Sequence, residues 1–258
     1  MSIAEAETAT RTPSHWEVLL RAWKQLNLPE GWRAEIIEGD IIITLSAGVA
    51  ESMSIAEAEA LGIPSRWEVV LRAWEELDLP EGWQAEIIEG DITIMTPPKY
   101  GHNVIVSSIQ REIYREVLRP GSQIAKAELH QAQDIRVPLT DSLYIPDLMV
   151  LPETAPDPGT ENPAADAILL VEVTSRSTAS KDRKAKLWGY AHAGVPLYLL
   201  VDRWDPEASG RATTTLFAEP DRGVYKHVEK VFFGEAIKLP TPFDLVLDTS
   251  EFPGSEEG

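Results

Sequence analysis

Hydrophobic residues mark out helices and strands along the chain, and the first hundred positions do so twice. After Ser65, the residues Trp67, Val70, Leu71, Trp74 and Leu77 fall three or four apart, and Glu68 completes an S-x-x-E box. That spacing predicts an amphipathic helix opened by a capping box. Leu79-Pro80-Glu81-Gly82-Trp83 stops the helix, and the β-rich arms of AEII-EGD-ITIM around a glycine-bearing turn predict a hairpin. Residues 13–43 repeat this unit: they align with 64–94 at seven differences in 31 positions, leaving 24 identities, and MSIAEAE at 1–7 returns at 53–59. Two copies with one continuation are a tandem duplication rather than a solenoid, whose units must be numerous enough to stack into a shared core.

Downstream of the copies, Val104, Ile105, Ile109, Ile113 and Val117 predict a second helix, ending before Pro120-Gly121. Residues 123–139 and 143–151 read as two strands around the polar turn Thr140-Asp141-Ser142, and 152–163 as a loop rich in proline and acid. AILLVEVT at 167–174 is nearly all apolar, the pattern of a strand buried on both faces. A helix from about Thr178 to His192 closes at Gly194 and leads into the buried strand PLYLLVD at 196–202, so the three form a crossover unit. TTTLFA and VYKHVEKVFF read as peripheral strands and SEFPGSEEG as a frayed tail. The expected organisation is a duplicated helix-hairpin appendage over 1–52, a main domain over 53–250 and an acidic tail over 251–258. The first copy runs into SAGVAES, where the second continues into PPKYGHNVIVSSI. It thus lacks a following helix to anchor it, and is expected to be dispensable.

A chain of 258 residues, 43% of them hydrophobic, can bury a core of ordinary globular size. The absence of cysteine excludes disulfides, thiolate zinc sites and a cysteine nucleophile, leaving carboxylates, histidines and lysines to carry any chemistry. No apolar run approaches the roughly 18 residues of a membrane span, and the acidic start does not match a signal peptide. A soluble cytoplasmic protein without membrane contact is expected.

Two carboxylates interrupt segments that otherwise read as core: Asp147 within YIPDLMVL and Glu172 within AILLVEVT. Ionised carboxylates so placed need a partner; a metal ion satisfies two at once, while a strand-end position facing water, an arginine or the backbone would satisfy each alone. Asp182, Lys186 and Tyr190 come at i, i+4, i+8 on one face of the next helix. Because that helix continues directly from the Glu172 strand, it can return the lysine to the carboxylates.

The ordered motifs Pro146-Asp147, Glu172-Val173-x-Ser175, Asp182-x3-Lys186-x3-Tyr190-x3-Gly194-Val195 and Val201-Asp202 resemble the Uma2 (DUF820) restriction endonucleases, of the PD-(D/E)xK nuclease superfamily. AEIIEGDITIMTPPKYGHNVIVSSI resembles that family's hairpin and the histidine-bearing start of its next helix, so the likeness spans roughly 63–205. It implies an α/β fold with a restriction-endonuclease-like central mixed β-sheet flanked by helices. The duplicated N-terminal helix-hairpin segment is expected as an addition to that fold. It implies that Asp147 is the motif aspartate and Glu172 the (D/E), while Thr174 stands where the superfamily pattern has lysine. The lysine is then assigned to Lys186, and Lys184 points away on the helix. Glu86 matches the hairpin glutamate. His102 matches the helix-start histidine, which either contacts phosphate or orients water, or is bonded to backbone.

The resemblance implies metal-assisted phosphodiester hydrolysis of nucleic acid, with DNA as the expected substrate. Asp147, Glu172, Glu86 and the Val173 carbonyl are the expected oxygen ligands of Mg2+ or Mn2+, and Lys186 is expected to orient and help deprotonate the attacking water. Arg176, Lys184 and Tyr190, with His102, are candidates for touching substrate. The net charge of -19 opposes a polyanion, yet 175–190 holds Arg176, Lys181, Arg183, Lys184 and Lys186 against Asp182 alone, predicting a basic patch beside the carboxylates. A catalytically inactive nuclease fold serving as a binding or assembly module is the alternative, favoured by Thr174 and the acidic surface. A glycosidase-type carboxylate pair is a weaker one, since the tryptophans cluster in the repeats. Because two near-identical hairpins compete for one groove, the first copy could instead dock on a second copy of the chain, so a homodimer is a further candidate.

Overall fold

The computed structural model describes residues 13–46, 64–153 and 164–254. MSIAEAE in both its occurrences, most of the proline-rich loop and the last four residues lie outside them. Both copies fold alike. In each, a serine N-cap and a glutamate three residues on form the capping box, Ser14 with Glu17 ahead of α1 (His15–Gln25) and Ser65 with Glu68 ahead of α2 (Arg66–Glu75). In each, an indole N–H ties the helix to its hairpin: Trp23 donates to the Ala34 carbonyl at 2.9 Å and Trp74 to that of Ala85 at 2.7 Å. The hairpins are β1 (Trp32–Ile37) with β2 (Asp40–Leu45), and β3 (Gln84–Ile88) with β4 (Asp91–Met95).

The first copy is anchored by its own hairpin. β2 pairs antiparallel with β4, Ile41 opposite Ile94 and Ile43 opposite Ile92, so the two hairpins make one continuous sheet. Leu19, Ile41 and Ile43 share a core with Trp67, Val70, Ile87, Ile92 and Ile94. The hairpin alone attaches this copy, because an open strand edge offers backbone partners directly.

α3 (Tyr100–Val117) runs as expected. The two long strands expected over 123–151 are instead four short ones, β5 (Glu128–His130), β6 (Ile135–Val137), β7 (Ser142–Tyr144) and β8 (Leu148–Leu151). Two of the three breaks fall at prolines, which cannot donate to a ladder: Pro138 opens a 3-10 turn between β6 and β7, and Pro146 lies between β7 and β8. The third, over 131–134 between β5 and β6, turns at Ala132 with φ 54. The breaks at 131–134 and at Pro146 let the chain change sheets. β6 and β7 extend the hairpin sheet, in the order β1-β2-β4-β3-β7-β6. β5 and β8 join the second sheet, β12-β11-β10-β9-β8-β5, with β9 (Leu169–Val173), β10 (Leu197–Asp205), β11 (Arg211–Asp221) and β12 (Val224–Phe232).

β9 and β10 are parallel and joined by α4, a helix over 179–193 made of α-helical Ala179–Lys181, a π turn Asp182–Lys186 and α-helical Leu187–Ala193. Gly194 closes it at φ 79, a left-handed conformation that a residue without Cβ adopts freely. One face of the second sheet packs on α3 through Leu148, Val150, Val171 and Val173, the other on α4 through Met149, Leu170, Tyr198 and Leu200. A small hairpin, β13 (Ala236–Leu239) with β14 (Leu245–Asp248), completes the chain's strands among the described residues. The tail does not fray at once: Phe252 is buried in the α3-side core, and the Gly254 carbonyl accepts from Arg203.

Candidate active site

Residues 145–147 carry the chain from one sheet to the other, and the expected site residues gather there. Asp147 lies just ahead of β8 rather than inside it. β8 pairs antiparallel with β9, Leu148 opposite Val171, so continuing the register by one residue sets Asp147 opposite Glu172. Asp147 Oδ2 accepts from the Val173 N–H at 2.7 Å and lies 3.1 Å from His102 Nε2. Glu86, on β3, accepts from the Ile145 N–H at 2.7 Å. Two carboxylates thus take up backbone donors at the point where the sheets separate, where strand pairing cannot.

Lys186 lies within this assembly, 3% exposed. Its Nζ is 2.8 Å from Glu86 Oε1, 3.0 Å from Glu172 Oε1 and 3.4 Å from Asp182 Oδ1. Tyr190 donates to Glu172 Oε1 at 2.6 Å. The π turn that carries Asp182 and Lys186 has its irregular backbone held by tyrosines: Tyr198 donates to the Asp182 carbonyl at 3.1 Å and Tyr144 to that of Ala185 at 3.4 Å. Gly189 makes room for this, since a Cβ there would stand 3.0 Å from the Tyr144 hydroxyl.

Three buried carboxylates around one ammonium set the electrostatics. Burial pushes the Glu172 carboxyl well above the ordinary carboxylate range; Lys186 opposes the rise, and Asp182, Asp147 and Glu86 add to it. Burial also raises Asp182, to about 6, against the pull of Lys186. For Lys186 burial disfavours the charged form, but Glu172, Glu86 and Asp182 outweigh it and hold the amine well above its usual range. The three acids therefore favour the ammonium form of Lys186. For His102 burial again works against the charge, and Asp147 more than reverses it, raising the imidazole.

Asp147 and His102 open onto a cleft of about 310 Å3 whose walls include Gln84, Asn103, Ser107 and Gln131. Glu86, Glu172 and Lys186 lie behind it. The basic patch expected over 175–190 is largely consumed by ion pairs: Lys181 meets Asp40, Arg183 meets Asp202, and Lys186 meets the three acids. Arg176 stacks over Trp204 and Lys184 faces solvent, so neither touches the carboxylate group. Thr174, in the lysine position of the superfamily pattern, donates to Asp202 at 3.3 Å and accepts from the Arg203 N–H, tying β9 to β10. Glu35, the first copy's counterpart of Glu86, is exposed on the edge strand β1. Tyr144 and Tyr198, which fix the π turn, carry no signal of that role in the sequence; both sit in apolar strands, where a tyrosine reads as core.

As a place for a divalent cation, the donor chemistry fits. The oxygens are hard, buried carboxylates outnumber the ammonium, and Glu86 Oε2 is buried without a hydrogen-bond partner. Among the described residues no three His, Asp or Glu side chains are already arranged around a common metal position, because Lys186 draws Glu86 and Glu172 onto itself. No helix among the described residues is long and apolar enough to cross a membrane.

Comparison with known proteins agrees with this architecture. No curated protein matches the sequence. Among solved structures, a "putative nuclease belonging to DUF820" from Anabaena variabilis ATCC 29413 superposes with a TM-score of 0.52 at 18% identity, covering 70% of this chain and 96% of its own. At that identity the likeness concerns the fold. The family model described as "Uma2: Putative restriction endonuclease" matches residues 71–250, which takes in Glu86, His102, Asp147, Glu172 and Lys186 and leaves out the first copy; by that match the chain belongs to the Uma2 family.

Proposed function

We propose that the chain is a metal-dependent endonuclease that hydrolyses phosphodiester bonds of nucleic acid, DNA in the first place. The observation that carries this reading is the meeting of Asp147 with His102 at the cleft, directly in front of Glu172, Glu86 and Lys186. Asp147, Glu172, Glu86 and the Val173 carbonyl are the groups that would hold Mg2+ or Mn2+. Bound there, such an ion supplies polarisation of the scissile phosphate and a water of lowered pKa. The chain's own residues do the rest. Asp147, fixed by the Val173 N–H, orients His102 towards the cleft, and the raised imidazole presents a positive charge to a phosphate oxygen. Lys186 keeps Glu86 and Glu172 in place and offsets their mutual repulsion. Tyr190 fixes Glu172 from the far side. Gln84, Asn103 and Gln131 offer amides to sugar or base edges, and Lys184 and Arg176 provide exposed charge nearby for a backbone.

The test is incubation with plasmid, single-stranded DNA and RNA in Mg2+ or Mn2+ and in EDTA. Wild type should cleave only with metal, and Asp147→Asn should lower kcat by about a hundredfold or more while keeping the fold, since the amide oxygen can still accept from Val173. The alternative, a nuclease fold that binds without cutting, is favoured by the ammonium lying between Glu86 and Glu172. Absent cleavage together with absent metal binding would establish it.

A further inference from the structure

We propose that the duplicated first copy is a positioning part of the active site: its Asp40 holds the start of α4, the helix that carries Asp182, Lys186 and Tyr190, through Lys181. Because β2 lies antiparallel to β4, the turn at Glu38-Gly39 lies at the opposite end of the sheet from the second copy's turn at Glu89-Gly90. It lies beyond Met95, at the end where α3 and His102 begin. There Asp40 Oδ2 stands 2.6 Å from Lys181 Nζ. Gly39 comes so close to the turn between β9 and α4 that a Cβ on it would meet Ser177 Cβ at 3.5 Å. That turn is itself knotted by hydrogen bonds among Ser175, Ser177 and Thr178. Lys181 is the last residue before the π turn.

One of the seven differences between the copies explains why Asp40 is available. In the second copy Arg66 reaches across the hairpin end to Asp91 and to the Gly90 carbonyl, both at 3.4 Å. In the first copy His15 stands at the equivalent position and reaches only the Gly39 carbonyl, at 3.3 Å. The shorter side chain leaves the Asp40 carboxylate to Lys181. Asp40 is 1% exposed, and its Oδ1 has no hydrogen-bond partner. A carboxylate desolvated this far adds little net stability through its ion pair, and what such a pair does supply is a fixed orientation of the elements it joins.

The test uses the full chain and reads backbone hydrogen exchange across 179–187 beside cleavage. The cleavage arm rests on the nuclease reading; the exchange arm does not. Asp40→Asn should speed exchange in that segment by about tenfold while α3 exchanges as in wild type, and should lower kcat by about tenfold at unchanged KM. The exchanged pair Asp40→Lys with Lys181→Asp should restore both. His15→Arg keeps both charges and so avoids stranding a buried one; by supplying a competing cation it should shift exchange and kcat in the same direction, by at least about twofold. Unchanged exchange over 179–187 in Asp40→Asn and His15→Arg alike overturns the proposal, and so does a swapped pair that folds but exchanges like Asp40→Asn. If wild type cuts nothing, the nuclease reading fails while the exchange results still decide this one.

Discussion

Replacing Lys186 by methionine would remove the one cation from a buried site that holds Glu86, Glu172 and Asp182 within 3.4 Å of it. Methionine keeps much of the volume, so packing changes little and the loss is electrostatic. Breaking a buried ion pair by removing one partner costs about 3–5 kcal/mol. The folded protein can escape part of this by taking up protons on Glu172 and Asp182, whose pKa values burial already raises. Protonating a carboxylate whose unfolded pKa is near 4 costs about 4 kcal/mol at pH 7 and about 1 kcal/mol at pH 5. A group with a raised folded pKa loses stability as pH climbs from the unfolded value to the folded one, so the deficit of Lys186→Met should grow with pH. At 2–4 °C per kcal/mol for a chain of this size, Tm should fall by about 10 °C at pH 7 and by only a few degrees at pH 5. Calorimetry in EDTA at both values reads this directly. A variant melting with wild type at pH 7, or with a deficit independent of pH, would refute the clustered-carboxylate account. Adding Glu172→Gln to Lys186→Met should recover part of the loss at pH 7.

The same geometry sets three further outcomes. Millimolar Mg2+ or Mn2+ should raise Tm by a few degrees, a stabilisation of about 1–2 kcal/mol at a tenfold excess over Kd, and Glu86→Gln with Glu172→Gln should abolish the rise; calorimetric titration checks both. In EDTA, wild-type stability should fall between pH 4 and pH 6 as Asp182, raised from 3.8 to about 6, gives up its proton; Asp182→Asn should shrink that fall by about 3 kcal/mol in denaturant titrations. Gly189→Ala should gain up to about 1 kcal/mol of helix propensity yet lose about 1–3 kcal/mol by displacing Tyr144, a net destabilisation visible as a lower Tm.

Local rules determined much of this protein from the sequence alone. Capping boxes, hairpin arms, the buried strand ahead of α4 and the stop at Gly194 depend on neighbours within a few residues, and they can be read wherever the periodicity is clean. Asp147 and Glu172 stand out because a carboxylate inside an apolar run demands a partner from elsewhere in the fold, while Glu86 is picked out only by the resemblance of its hairpin to the Uma2 family. Which partner answers that demand was decided by tertiary structure. The π turn brings Lys186 to three acids at once, and these favour its ammonium form. A turn over 131–134 and Pro146 divide the expected strands between two sheets, and only the assembled sheets reveal that Glu86 and Asp147 both take up backbone donors at the crossing over 145–147. The basic run at 175–190 illustrates the same limit: charge sums are additive along a sequence, but whether a cation faces solvent depends on acids as distant as Asp40 and Asp202. The first copy likewise reads as an appendage because a sequence shows only a segment's neighbours along the chain. Its anchorage lies instead in the free edge of β4 and in the carboxylate that His15, standing in place of arginine, leaves to Lys181.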